Sequence, residues 1–144
     1  MKKTKQGAVH QPPMEIRFEK PPIYQRVAKA FKLTGLEIFC WGNIIYNPGR
    51  GHIAVQLIEH EKVHREQQGK DIEGWWDLYL DSPEFRLSQE MQAHQREYRV
   101  YCLMNKRSKD RAKYLDMIAA RLASPMYGDI ISKQQAMLEI KQRG

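Results

Sequence analysis

The sequence predicts an α+β domain, mostly helical, with a small β-hairpin or sheet packed beside a central helix and further helices after it. Three observations carry that expectation. Segments rich in β-branched and aromatic residues, LEIFCW and NIIYNPG, are confined to residues 36–49, where they suit paired strands. Beyond residue 51 the apolar residues recur at helical spacing, punctuated at Gly69, Ser82-Pro83, Ser124-Pro125 and Gly128, which are start and stop signals for helices. The 144 residues are enough for one domain to bury a core without disulfides.

Taken in order, residues 1–22 read as a flexible N-terminal lead and residues 23–144 as the domain. MKKTKQGAVHQPP has the positive residues of a secretion signal but no apolar stretch behind them. Pro12-Pro13 and Pro21-Pro22 bracket MEIRFE, whose alternation suits a strand or an extended arm. Ile23, Val27, Ala30 and Phe31 share one face of a helix that Gly35 stops. The two strand segments follow, with Gly42-Asn43 between them and Asn47-Pro48-Gly49 at their end. The next helix is expected from Gly51–Ile53 to Gly69. Ile53, Leu57, His60, Glu61, His64 and Gln68 form one stripe of it, and Ala54, Val55, Ile58 and Val63 cover much of the rest, the pattern of a central helix. Trp75, Trp76, Tyr79, Leu80 and Phe85 read as core aromatics. Ser82 as N-cap, Pro83 at the first position and Glu84 in the first turn start a helix running to about Met104. Two more helices are expected over 108–123 and about 130–142, with Ile118, Leu122, Ile131, Met137 and Leu138 in the core.

Composition narrows the function. No run of 18 apolar residues exists, so no membrane-spanning helix is expected, and a cytoplasmic location follows from the missing signal. Cys40 and Cys102 form no C-x-x-C pair and read as free thiols of a reducing compartment. The net charge of +7 is spread along the chain without a nucleic-acid-reading signature. It suits a solvated surface, and leaves weak association with nucleic acid or acidic partners as an alternative.

The chemistry sits in LIEHEKVHREQQGK, residues 57–70. His60 and His64 are one helical turn apart, so both imidazoles project from one side and can meet one atom. With Glu61 between them the spacing is H-E-x-x-H, in which a helix supplies two zinc ligands and a carboxylate for the proton of the attacking water. The ordinary alternative is a pair of neutral core histidines. Zinc needs a third protein ligand, and the helix from Ser82 offers one. Its Gln89, Gln92, Arg96 and Arg99 cluster on the solvated side, and opposite lie Leu87, Met91, Ala93, Tyr98 and Tyr101. In the middle of that apolar face sit Glu90, His94 and Glu97, which is costly unless they are paired or bound to a cation. Salt bridges to Arg86 or Arg65 are the competing explanation for the two glutamates. Glu90 is the preferred ligand because small Ala93 lets two helices approach, and Glu97 suits the role of acceptor for a ligand's remaining N–H.

HEKVH followed by Glu90-Met91-Gln92-Ala93 resembles the zincin metallopeptidases of the gluzincin type, with an E-x-x-A second motif. The sequence is also similar to small metallopeptidases encoded in phages and prophages. The likeness covers residues 43–98. It implies a zincin-like fold, a zinc ion held by His60, His64 and Glu90, and hydrolysis of a peptide or protein substrate with Glu61 as general base. It also implies that a strand beside the motif helix pairs with the substrate, a role that falls to Ile44-Ile45-Tyr46-Asn47. A second group steadying the reacting oxyanion would be Tyr127 or His94. The family often follows the alanine with aspartate, and His94 stands there instead, so His94 and Glu97 remain alternatives as third ligand. The competing functional reading is a non-catalytic, zinc-stabilised or nucleic-acid-associated accessory protein of a phage or mobile element.

Overall fold

The computed structural model describes residues 12–142. It is α+β and mostly helical. The sheet contains β1 (Glu15–Arg17), β2 (Phe39–Trp41) and β3 (Ile44–Tyr46), in the order β1-β3-β2. The helices are α1 (Tyr24–Ala30), α2 (Val55–Gln68), α3 (Ile72–Asp81), α4 (Pro83–Met104), α5 (Ser108–Leu122) and α6 (Lys133–Gln142), with a 3₁₀ turn at Pro125–Tyr127.

The hairpin forms where β-branched and aromatic residues flank Gly42-Asn43. β2 and β3 pair antiparallel with Phe39 opposite Tyr46 and Trp41 opposite Ile44. Gly42 has φ +59 and Asn43 has no positive φ, the pattern of a type II′ turn, whose twist matches the strands. β1 adds parallel to the other side of β3, with Ile16 opposite Ile45. Within the segment read as a lead, MEIRFE forms an edge strand, as its alternation allowed, because β3 still had an unpaired edge to offer. Residues 1–11 of that lead lie outside the described residues. The same topology corrects the role given to residues 44–47. β3 is the central strand, paired on both sides, so no free edge remains there for a substrate.

Two apolar clusters flank the centre of the molecule. One joins Ile23 and Val27 of α1, Phe39 and Tyr46 of the hairpin, and Trp75, Trp76 and Tyr79 of α3. The other joins Met91 of α4 with Leu115, Ile118, Leu122, Ala136 and Ile140 of α5 and α6. The aromatics of α3 are core, as their spacing implied. Leu138 is not: it is 58% exposed, because α6 starts at Lys133, where Ser132 Oγ accepts the Gln135 N–H, and turns Ala136 and Ile140 inward.

Between the clusters α2 packs chiefly on α4, and Ala93 at their contact is fully buried. α2 ends at Gly69, whose φ of +53 and ψ of −123 lie in a region that glycine enters readily and residues with a Cβ do not. It is not apolar on every side: Val55 is 44% exposed, and Glu59 pairs with Lys62 and Arg96 along the outer face. Gln68, at its inner end, ties it to the hairpin. The Gln68 side chain accepts from Gly42 N–H at 2.7 Å and donates to the Cys40 carbonyl at 2.9 Å.

Candidate metal centre

α2 turns His60, Glu61 and His64 inward, and α4 meets them with Glu90, His94 and Glu97; all six are buried. α4 starts at residue 83 because Ser82 Oγ accepts the Phe85 N–H and proline occupies its first turn, which sets the phase that aims Glu90 at α2. His60 Nε2 lies 3.0 Å from Glu90 Oε1, His64 Nε2 lies 3.2 Å from the same oxygen, and the two Nε2 atoms are 3.2 Å apart.

Hydrogen-bond partners assign the protons. His60 Nδ1 is 2.7 Å from Glu97 Oε1, an acceptor, so Nδ1 carries hydrogen and, in the neutral ring, Nε2 presents a lone pair. His64 Nδ1 is 2.8 Å from Gln67 Oε1. That amide cannot be flipped, because its Nε2 donates to the Gln89 carbonyl at 3.0 Å and to Gln92 Oε1 at 2.9 Å. In the neutral ring His64 Nε2 therefore also presents a lone pair. Three acceptor atoms converge, and each alternative to a cation leaves a defect. One proton on His60 satisfies its contact with Glu90 and leaves the His64 lone pair against the same carboxylate oxygen, whereas two protons place imidazolium groups side by side. A metal ion satisfies all three, and these buried side chains could hold one.

The electrostatics carry the same tension. Burial makes His60 less basic, but hydrogen bonds to Glu90 and Glu97 outweigh it and hold the imidazole well above the usual histidine range. His64 is raised for a similar reason, burial opposing and Glu90 prevailing. Burial raises Glu90, yet the charge of His64 and the hydrogen bonds of both histidines hold it well below the usual carboxylate range. Glu61 goes the other way: burial raises it, against the attraction of His60 and His64. Its carboxylate makes no hydrogen bond to any described residue and approaches His60 Nε2 to 4.0 Å.

His94 and Glu97 gather on the far side of His60. Glu97 Oε1 meets both His60 Nδ1 and His94 Nδ1, the latter at 2.8 Å, while Tyr114 hydroxyl donates to Glu97 Oε2. Salt bridges to arginine do not account for either glutamate. Arg86 donates to the carbonyls of Tyr79, Leu80 and Met126, and Arg65 to Pro12 and Asn43. Tyr127 is buried and lines the same cavity as the histidines, with its hydroxyl raised by burial and by the charge of Glu90.

Three contributors escaped the sequence reading. Tyr79 hydroxyl donates to Glu90 Oε2 at 2.6 Å, holding the carboxylate so that Oε1 faces the histidines. Gln67 orients His64, and Tyr114 completes the acceptor set of Glu97. Gln67 lies one turn beyond His64, a signal visible in sequence; Tyr79 and Tyr114 come from other helices and had none.

No protein-family model, curated protein or solved structure matches the chain. The cluster lines a cavity of about 640 Å³ whose other walls include Phe31, Leu33, Ile38, Leu57 and Trp76, within the range of pockets that take small molecules or short segments of chain. Cys40 also lines it, its thiol raised by burial and by the charge of Glu61, and is free, as is the half-buried Cys102. No helix among the described residues is long and apolar enough to cross a membrane.

Proposed function

We propose that the protein is a zinc-dependent peptidase in which His60 Nε2, His64 Nε2 and Glu90 Oε1 hold the metal and Glu61 is the general base. The observation that supports this most is the spacing of the three atoms. Donors about 2.05 Å from a tetrahedral zinc lie roughly 3.3 Å from one another, and the three separations are 3.0, 3.2 and 3.2 Å. Two nitrogens and one carboxylate oxygen are also a donor set that zinc takes with a position left open. Zinc bound there would lower the pKa of a coordinated water and polarise a scissile carbonyl.

The chain's own residues supply the remainder. Glu61 carries a carboxylate without a competing hydrogen-bond donor, 4.0 Å from a ligand nitrogen, and its raised affinity for protons suits a group that takes a proton and returns it to the leaving amine. Glu97 keeps the His60 lone pair aimed by fixing its tautomer, and Gln67 does the same for His64. Tyr79 leaves Glu90 one oxygen for the metal. Tyr127 faces the cavity with a hydroxyl kept protonated by its surroundings, which suits donation to an oxyanion. His94 is engaged with Glu97 and acts through it on His60.

The test pairs metal content with hydrolysis. Purified in the presence of zinc, the protein is expected to hold one ion per chain and to cleave an unfolded protein substrate. Glu61→Gln should retain the zinc and lose about 10²–10⁴ in rate. Zinc below about a tenth of an ion per chain would sink the site. Zinc bound with no cleavage by the unaltered protein would favour the non-catalytic accessory reading.

A further inference from the structure

The cavity that holds the histidines is lined largely by apolar side chains, and among the described residues Arg121 is the one lysine or arginine on its wall. Arg121 sits in the last turn of α5. Its guanidinium makes no hydrogen bond or ion pair with any described residue, although four glutamates line the same space. Those carboxylates are otherwise committed or distant: Glu90 to two histidines and Tyr79, Glu97 to His60, His94 and Tyr114, and Glu61 beside the nitrogen of His60. A fourth, Glu37, is folded back on the turn before β2, accepting from Thr34 N–H, Gly35 N–H and Thr34 hydroxyl. The positive charge of Arg121 nevertheless reaches the phenols of Tyr114 and Tyr127, so it is felt at the cavity wall next to the metal cluster.

A guanidinium without a counter-ion beside an apolar cavity is a recognition element for one chemistry. Arg121 lines the cavity and is exposed to solvent, and its planar fork is free to pair with a carboxylate through two parallel hydrogen bonds. Resting on the peptidase reading above, we infer that the cavity takes a short apolar peptide segment bearing a carboxylate, and that Arg121 binds that carboxylate. At about 640 Å³ the cavity admits a few residues rather than a long strand, and the charge lies at one wall of it. The chemistry fits the carboxylate that ends a peptide, or that of an acidic side chain beside the apolar residue. Arg121 also favours its helix end through the dipole, but that role requires no facing cavity.

Binding separates these without relying on turnover. Zinc-loaded Glu61→Gln protein would be titrated calorimetrically with N-acetyl-phenylalanyl-leucine, with its carboxamide, and with N-acetyl-phenylalanyl-glutamate as the α-carboxamide. The free acid is expected to bind about 3–10-fold more tightly than the carboxamide, the range for a bidentate pair that water still reaches. Arg121→Gln should reduce the acid to the affinity of the carboxamide, with Arg121→Lys in between and zinc content equal in all three. Tight binding of the glutamyl carboxamide would assign the site to an acidic side chain; weak binding would assign it to the chain terminus. Equal affinity for acid and carboxamides, or discrimination that survives Arg121→Gln, overturns the proposal. These outcomes are distinct from failure of the peptidase reading, which shows as absent zinc or absent hydrolysis in the unaltered protein; the same comparison of acid with carboxamide is then made on the protein as purified.

Discussion

His60 is gripped from both ends of its ring, and the two ends do different things. Nδ1 donates to a carboxylate that also accepts from His94 and Tyr114, and Nε2 joins His64 and Glu90 at the point where lone pairs converge. Residues that set this geometry without touching the convergence point should tune metal affinity. Tyr79→Phe keeps the ring stacked on Trp75 at 5.0 Å and removes only the hydroxyl on Glu90, so zinc binding is expected to weaken about 10–100-fold, measured by competition with a chelating dye. Glu97→Ala should weaken it by about the same factor and also lower stability, since a buried donor left unpaired costs about 1–3 kcal/mol. His94→Ala should leave zinc content unchanged. Loss of zinc in that variant with retention in Glu90→Ala would make His94 the third ligand and require the site to be redrawn.

At the scale of elements, the site is a contact between two helices that is registered by a hairpin. Gln68 is the peg: buried at 3% exposure, it holds the turn at Gly42 and the Cys40 carbonyl against the end of α2. Trp76 Nε1 donates to that carbonyl too, at 3.1 Å, so the edge of β2 is sealed by side chains at Cys40. Gln68→Ala strands the Gly42 N–H and should cost about 1–3 kcal/mol, read as a lower urea midpoint. Zinc affinity should change little, since no ligand or ligand-orienting group is lost. A large loss of affinity instead would show that the hairpin sets the pitch of α2 against α4.

For the whole molecule, the prediction is a pH dependence that changes sign with metal. Without metal, the folded state binds protons on His60 and His64 more tightly than the unfolded chain does. That contribution is complete below the unfolded histidine value of about 6.5 and is lost as pH rises through the raised folded values. Glu90 is held low, so its contribution is present above the unfolded value of about 4.3 and is lost as acid titrates it. Metal binding requires the same nitrogens without protons and therefore strengthens as pH rises. The fall in Tm on adding a chelator should accordingly be small near pH 6 and grow towards pH 9. A chelator effect that shrinks over that range would mean that the metal is bound elsewhere.

Much of this was legible in the chain itself. The spacing of His60, Glu61 and His64, the inward phase of Glu90, His94 and Glu97, and the Ser82-Pro83 start of α4 all follow from local periodicity and capping, which act over a few residues and leave their mark in order. Hairpin and helix boundaries near Gly42, Gly69 and Ser124 were legible for the same reason. The strand order was not, since Glu15–Arg17 pairs with residues almost thirty positions away and short alternating segments carry no address for their partners. Glu90 was preferred over Glu97 and His94 from its neighbour Ala93, but which of its oxygens meets the two Nε2 atoms depends on how α4 is rotated and set against α2. Tyr79 and Tyr114 were likewise out of reach, because a hydroxyl's partner is decided by packing between elements. Periodicity determined which side chains face inward; tertiary structure decided which of their atoms meet.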